Sequence, residues 1–469
     1  MQKMSNPAQP RIVFGTRGSD NLTASQEGGD RIFASDGDDR IQVFRGSEYA
    51  DIHGGLGSDY FEVLGGHNVM YGEEGDDRLT VDAENNRIHG NGGDDTFWVT
   101  GGDNLVTGGA GDDTLSYAGD RSHLVTGDGE DDVDFEKYDE LNPSDDNRIE
   151  LGNGDDSLQL WGSRNTALGG AGTDDLFVRE SGDNRLEGGM GDDQFGALNV
   201  YRSVLVGGAG NDHFANAVDE HGQDGSSGNK YFGNEGNDFF AGSGEDNMFL
   251  GGAGGDTLRV EAYTSLYASV LKGDGGDDEL SIEFPSGGTG NVLDGGEGRD
   301  ALTSVSFYNT LKGGAGSDTL AVTGFEWTGY SLENTLTGGK GEDLYEIGPG
   351  VGTNTIREDG IWNEQDRVKF LAAEAEDVKA ARSGADLEIA SETGTEKLIV
   401  ERFFESKAAR VEQFEFADGT VWTDKEVESL IQAMAAAPGS SGSLEAVSAP
   451  ERDEALALLL APPAGHPLL

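Results

Sequence analysis

The chain has 469 residues, with 89 acidic against 32 basic side chains, a formal net charge of −57 and no cysteine. Such acidity excludes nucleic-acid recognition through basic patches, and the missing thiols exclude disulfides and thiolate metal sites. With only 35% hydrophobic residues, so acidic a chain is expected to stay unfolded until counterions neutralise it.

Met1–Pro10 is polar and lacks the apolar run of a cleaved secretory signal. Glycine–aspartate turns follow, weakly at first: Gly18-Ser-Asp20-Asn-Leu22, Gly28-Gly-Asp30-Arg-Ile32 and Gly37-Asp-Asp39-Arg-Ile41. Fifteen stronger copies of Gly-x-Asp-x-apolar then run from Asp59 to Asp343, mostly as Gly-Gly-x-Gly-x-Asp. Asp59, Asp77, Asp95, Asp113 and Asp131 are 18 residues apart. The series continues at Asp156, Asp174, Asp193, Asp212, Asp238, Asp256, Asp278, Asp300, Asp318 and Asp343. Glycine stands two before each acid, at Gly57, Gly75, Gly93, Gly111, Gly129, Gly154, Gly172, Gly191, Gly210, Gly236, Gly254, Gly276, Gly298, Gly316 and Gly341. It opens most copies as well, at Gly54, Gly72, Gly90, Gly108, Gly169, Gly188, Gly207, Gly233, Gly251, Gly273, Gly295, Gly313 and Gly338. Two residues after each acid comes an apolar side chain, from Phe61 and Leu79 to Leu320 and Tyr345.

Nine residues before the acids runs a second series: Asn68, Asn86, Asn104, Ser122, Asn147, Asn165, Asn184, Ser203, Asn229, Asn247, Ser269, Asn291, Asn309 and Asn334. One coil is therefore two nine-residue halves, each a turn and a short strand with alternate residues pointing inward. A fixed period with glycine, acid and apolar residue in register predicts an all-β fold, a right-handed parallel β-roll (β-solenoid) of about 17 coils.

The two edges of the coil differ. Glycine lets the acidic turn reach positive φ and bring backbone carbonyls together. Calcium takes six to eight oxygens at about 2.3–2.6 Å, and neighbouring turns about 4.8 Å apart can supply them. The alternative, a metal-free glycine turn, leaves stacked carboxylates repelling one another. One ion per turn, roughly fifteen in all, neutralises about thirty charges and couples folding to calcium. The asparagine row reads as an internal amide ladder, the alternative being a ligand-binding row. An ice-binding face is not expected, since the outward turn positions Leu56, Glu74, Asn91, Ala110, Met190 and Lys340 form no threonine ladder.

Five coils are longer than the rest, each with its extra residues after the strand that follows the acidic turn. These insertions carry Phe135, Tyr138, Tyr263, Tyr267, Phe284, Phe325, Trp327 and Tyr330, which either cover the core edge or form a recognition edge. Beyond the repeats, strands and turns are expected over Asn354–Ile356, Asp366–Phe370, Ser383–Ile389, Lys397–Phe404 and Phe414–Trp422, and a helix over Asp424–Ala437. A linker, Pro438–Pro450, leads to an acidic then aliphatic tail, Glu451–Leu469, whose apolar run is too short to span a bilayer.

The repeats from Arg11 to Ile347 resemble the RTX, haemolysin-type calcium-binding family, and the strands after them resemble its calcium-binding-related C-terminal domain. That resemblance implies Ca²⁺ as cofactor, held by the glycine carbonyls and aspartates named above together with Asp20 and Asp39. It also implies a secreted protein, exported through the type I secretion machinery by an uncleaved C-terminal signal. The expected division is residues 1–10 as a tail, 11–350 as the β-roll, 351–425 as a β cap, and 426–469 as helix, linker and export segment.

No His-Glu-x-x-His or Gly-x-Ser-x-Gly motif occurs. The seven histidines are scattered, and His53 and His89, at equivalent repeat positions, read as solvated edge residues. The expected role is a structural or interaction component of a matrix, adhesion or surface layer, possible partners being a polysaccharide or a cell-surface component. The alternative is a polysaccharide-processing enzyme built on the solenoid face.

Overall fold

Alternation sets every rung. In Val69–Glu74 the inward positions are Met70 and Gly72, and in Arg78–Asp82 they are Leu79 and Val81, all buried. The computed structural model describes residues 10–135, 144–216, 225–261, 268–283, 290–305, 308–324, 333–358, 364–391 and 396–435. It is a parallel β-solenoid of about 17 turns with one short helix. Each coil gives a strand of mostly six residues to one sheet and a strand of four or five to the other. The second strand thus serves as the crossover that a parallel pair requires.

The chain divides into two units, Met1–Asp238 and Phe239–Leu469. In the first, the register aligns Ile52, Met70, Ile88, Val106, Leu124 and Ile149 on one inner wall. Phe61, Leu79, Phe97, Leu115, Val133 and Leu158 stack on the other. All twelve are at most 1% exposed, so each coil buries its apolar pair only against its neighbours. A slip of one residue would turn these stacks outward, which is why the register holds over so many coils.

The second unit repeats this with Leu258, Leu280, Leu302, Leu320, Tyr345 and Val368 in register. Its parallel pairing then ends in antiparallel hairpins. Lys397–Val400 lies parallel to Thr353–Ile356 but antiparallel to Asp386–Ser391, which pairs antiparallel with Val378–Ser383. Gln413–Glu415 lies parallel to Arg367–Phe370 and antiparallel to Val421–Thr423. The segment Ser383–Ile389 is a turn at Gly384, with φ +68°, followed by a strand. The helix Asp424–Ala435 is closed by a capping box: Glu426 N–H donates to Thr423 Oγ1, and Thr423 N–H donates to Glu426 Oε2. Among the described residues no helix is long and apolar enough to cross a membrane.

Of the insertion aromatics, Phe135 is buried edge-on against Tyr117 at 5.5 Å, covering core. Tyr138, Tyr263, Tyr267, Phe284, Phe325, Trp327 and Tyr330 lie outside the described residues. His53 and His89 are half-buried rather than solvated. They belong to a ring stack Phe14–Phe33–His53–Tyr71–His89 with centroids 4.8–5.6 Å apart.

Candidate metal centre

In the first half-turn of each coil the chain leaves one sheet, passes the Gly-x-Asp turn, and enters the other. The aspartate side chain points inward there and is almost completely covered: Asp59, Asp77, Asp95 and Asp113 are 1–2% exposed. One carboxylate oxygen has a fixed task. Oδ1 of each aspartate accepts the backbone N–H of the aspartate one coil earlier, as in Asp59 N–H to Asp77 Oδ1 at 2.7 Å and Asp95 N–H to Asp113 Oδ1 at 2.8 Å. The same bond recurs at 2.7–3.0 Å from Asp20 to Asp238 in the first unit. In the second unit it runs from Asp256 through Asp278, Asp300, Asp318 and Asp343.

The other oxygen is the informative one. Oδ2 of Asp39, Asp59, Asp77, Asp95, Asp113, Asp131, Asp156, Asp174, Asp193, Asp212, Asp278, Asp300, Asp318 and Asp343 is buried without a hydrogen-bond partner. It lies against the opening glycine of its own turn. A Cβ built on Gly54 would sit 2.3 Å from Asp59 Oδ2 and 2.6 Å from the Gly72 carbonyl oxygen of the next coil. The same holds at Gly72, Gly90, Gly108, Gly169, Gly273, Gly295 and Gly313. Two acceptors therefore converge on one small space in successive coils. Two buried acceptors repel unless a donor or a cation stands between them.

Burial pushes these carboxyls far above their ordinary range, with backbone hydrogen bonds opposing the rise and neighbouring aspartates adding to it. Asp59, Asp174, Asp212, Asp238 and Asp343 rise to about 6, Asp95, Asp156, Asp193, Asp278 and Asp318 to about 7, and Asp77 and Asp113 to about 8. Among the described residues no three His, Asp or Glu side chains converge as metal ligands. An ion in this row would thus be held by few carboxylates and several carbonyls. That donor set is hard and oxygen-only, which fits Ca²⁺.

The structure sorts the expected ligands. The opening glycines lie beside Asp Oδ2, Gly188, Gly207, Gly251 and Gly338 included. The carbonyls of Gly57, Gly75, Gly93 and Gly111 form another row, each against the next coil's equivalent glycine; a Cβ on Gly75, at φ +122°, would fall 2.1 Å from Gly57 O. Asp20 caps the row, its Oδ2 accepting Thr16 N–H and hydroxyl at 2.5 and 2.9 Å. Asp30 is no acidic-turn residue. It lies on the asparagine edge, bound by Arg11 and the Ser25 N–H, which hold its carboxyl down at about 2 despite its burial.

Sequence reasoning missed two things. The row extends past the glycine repeats, Asp343 N–H donating to Asp366 Oδ1 and Asp366 N–H to Glu412 Oε2, both at 3.0 Å. Its signal was the surviving Asp366-Arg-Val368 stripped of glycines. A second, exposed row runs outside the first in the opposite sense, with Asp94 N–H on Asp76 Oδ1 and Asp112 N–H on Asp94 Oδ1.

The opposite edge carries the asparagines in the same backbone relation. Asn68 N–H donates to Asn86 Oδ1 at 2.9 Å and Asn86 N–H to Asn104 Oδ1 at 2.8 Å. The amide nitrogens of Asn68 and Asn104 donate to the Gly65 and Gly101 carbonyls, both at 2.8 Å. This is an internal ladder.

The family models match the same repeats. The RTX calcium-binding nonapeptide repeat (4 copies) matches residues 14–43, 25–49, 53–88, 80–115, 89–124, 144–176, 180–197, 224–258 and 294–322. The haemolysin-type calcium binding protein related domain matches residues 386–426. No curated protein matches the chain. Among solved structures, the crystal structure of a hyperactive, Ca²⁺-dependent, β-helical antifreeze protein from an Antarctic bacterium aligns with a TM-score of 0.38 and 18% identity, over 74% of this chain and 89% of that one. The chain is a haemolysin-type, RTX calcium-binding repeat protein with the family's calcium-binding-related domain near its C-terminus.

Proposed function

We propose that the protein is secreted, folds on binding Ca²⁺ outside the cell, and serves there as a structural or interaction component of a matrix, adhesion or surface layer. The carrying observation is the row of buried, unpartnered aspartate oxygens facing carbonyls of the next coil. Each such interval would hold one ion, ligated by the aspartate and by glycine carbonyls of adjacent turns. Cytosolic calcium is too low to fill sites of extracellular strength, with Kd of about 10⁻⁴–10⁻³ M. The chain would leave unfolded through a type I channel and fold in the medium.

The test is a calcium titration of the metal-free chain by circular dichroism, with calcium counted by equilibrium dialysis. Cooperative gain of β-structure in that concentration range, with many ions bound per chain, is expected. A metal-free spectrum already fully β and indifferent to calcium would refute the reading. Mg²⁺ should substitute poorly because it demands tight octahedral geometry.

A further inference from the structure

The row of aspartates is unbroken in the first unit, but the row of opening glycines is not. Where Gly54, Gly72, Gly90 and Gly108 precede Asp59, Asp77, Asp95 and Asp113, the next two coils have Thr126 before Asp131 and Leu151 before Asp156. Glycine returns at Gly169. Both replacements face inward, Thr126 3% and Leu151 0% exposed. In the glycine coils from Gly54 on, a Cβ at this position would fall 1.9–2.4 Å from the aspartate Oδ2, in the space where the two acceptors meet, and before Gly54 the same position holds the buried Ala34. At the Thr126 and Leu151 coils a side chain already stands there.

What that side chain does is visible. The Thr126 hydroxyl donates to the Leu151 carbonyl of the next coil at 2.8 Å, in a buried hydrogen bond. That carbonyl is the counterpart of Gly72 O and Gly90 O, the acceptors that face an aspartate oxygen in the glycine coils. Here an O–H donor satisfies the carbonyl, while Asp131 Oδ2 stays without a hydrogen-bond partner. One coil on, Leu151 puts an aliphatic side chain in the same place, beside Asp156, and an aliphatic group offers a cation nothing.

We propose that the calcium row is interrupted at two successive intervals, Thr126 to Leu151 and Leu151 to Gly169, and that the Thr126 hydroxyl takes the place of the ion in the first. The inference rests on the calcium reading above and adds which intervals stay without metal. The first unit then holds two separate runs of sites, Asp59–Asp113 and one beginning at Asp174. They meet at a seam held by hydrogen bonding and by Tyr117, Phe135, Ile149 and Leu151, all at most 1% exposed. Cooperativity between metal sites passes only through adjacent coils, so the two runs should fill as separate steps.

The experiment counts calcium on the full-length chain by equilibrium dialysis and follows folding by circular dichroism. Thr126→Gly should bind one ion more than the wild type, and Thr126→Gly/Leu151→Gly up to two more, with the two steps drawing together. Gly188→Thr, which installs the blocking group in a glycine coil, should bind at least one ion fewer. Thr126→Val should leave the count unchanged but raise the calcium midpoint, because the Leu151 carbonyl loses its donor. An unchanged count in both Thr126→Gly and Gly188→Thr, with the wild type still loading calcium and folding, would overturn the interruption alone. A wild type that binds no calcium would overturn the calcium reading with it.

Discussion

Replacing Asp113 by asparagine separates the two tasks of its carboxylate. Oδ1 would still accept the Asp95 N–H, now 2.8 Å away. The amide nitrogen would take the place of Oδ2, next to the Thr126 carbonyl that a Cβ on Gly108 would approach to 2.6 Å. A donor would then face an acceptor. Burial pushes the Asp113 carboxyl from its usual 3.8 up to about 8. Folding the metal-free chain at pH 7 therefore forces a proton onto a group that is ionised when unfolded. At about 1.4 kcal/mol per unit between 3.8 and 7, this opposes folding by at most about 4 kcal/mol. Over a dozen such groups exceed the 5–15 kcal/mol that typically holds a domain together, so the metal-free coil should not persist at neutral pH.

Asp113→Asn should accordingly stabilise the metal-free state by up to about 4 kcal/mol and destabilise the calcium-loaded one, where a charged ligand is lost. Asp113→Ala should destabilise both, since it orphans the Asp95 N–H at about 1–3 kcal/mol. The assay is urea denaturation followed by circular dichroism, at saturating calcium and without metal near pH 3, where the carboxyls are protonated in the folded and the unfolded chain alike, together with the pH midpoint of metal-free folding. Asparagine should shift that midpoint upward. If asparagine and alanine weaken the metal-free state equally, Oδ2 is not the group that opposes folding and the metal argument fails.

The folded-state values of the row are raised above 3.8, so its protonation favours folding below pH 3.8, and that contribution is lost from there upward until pH has risen through the folded values of about 6 to 8. Metal-free chain should thus be β-structured only near pH 3 and unfolded by pH 8 on circular dichroism, with excess calcium abolishing the loss. Asn104→Ala should cost about 1–3 kcal/mol in urea melts while leaving the number of bound calcium ions unchanged, because it acts on the amide edge. Gly90→Ala, whose Cβ would lie 1.9 Å from Asp95 Oδ2, should raise the calcium midpoint, whereas Gly18→Ala, with nothing within 4 Å, should not. Deleting Glu451–Leu469 should preserve calcium-dependent folding yet block export in a type I secretion assay; normal export would place the signal elsewhere.

Period, edges and inward positions were legible because one 18-residue coil repeats its physics: Met70, Ile88 and Val106 must stack if Asp77, Asp95 and Asp113 do. Where chain neighbours and spatial neighbours part company, the sequence misled. Gly28-Gly-Asp30 has the letters of an acidic turn, yet its place opposite Ala50 and Asn68 puts it on the other edge, where Arg11 neutralises it. Asp366 lacks the glycines but lies one coil after Asp343, and only the register reveals it. His53 looked like an edge residue, though the coils above and below supply Phe33 and Tyr71 to stack on it.

The two edges differ by one atom. Asparagine and aspartate both offer an Oδ1 to the backbone N–H of the coil before. The second atom of asparagine is an N–H donor, and at Asn68 and Asn104 it meets a glycine carbonyl. That edge can close without outside help. The second atom of aspartate is another acceptor, set where the next coil's carbonyl also points. That edge cannot close until something positive arrives, whether a proton at low pH or a metal ion at neutral pH. Thr126 shows a partial solution within the chain itself, since its hydroxyl supplies a donor to the carbonyl in a single coil and leaves Asp131 Oδ2 unpartnered. On the reading proposed here, calcium dependence would be decided coil by coil, by whether the position opening each turn is a bare glycine or carries a group that satisfies or excludes the neighbouring oxygens.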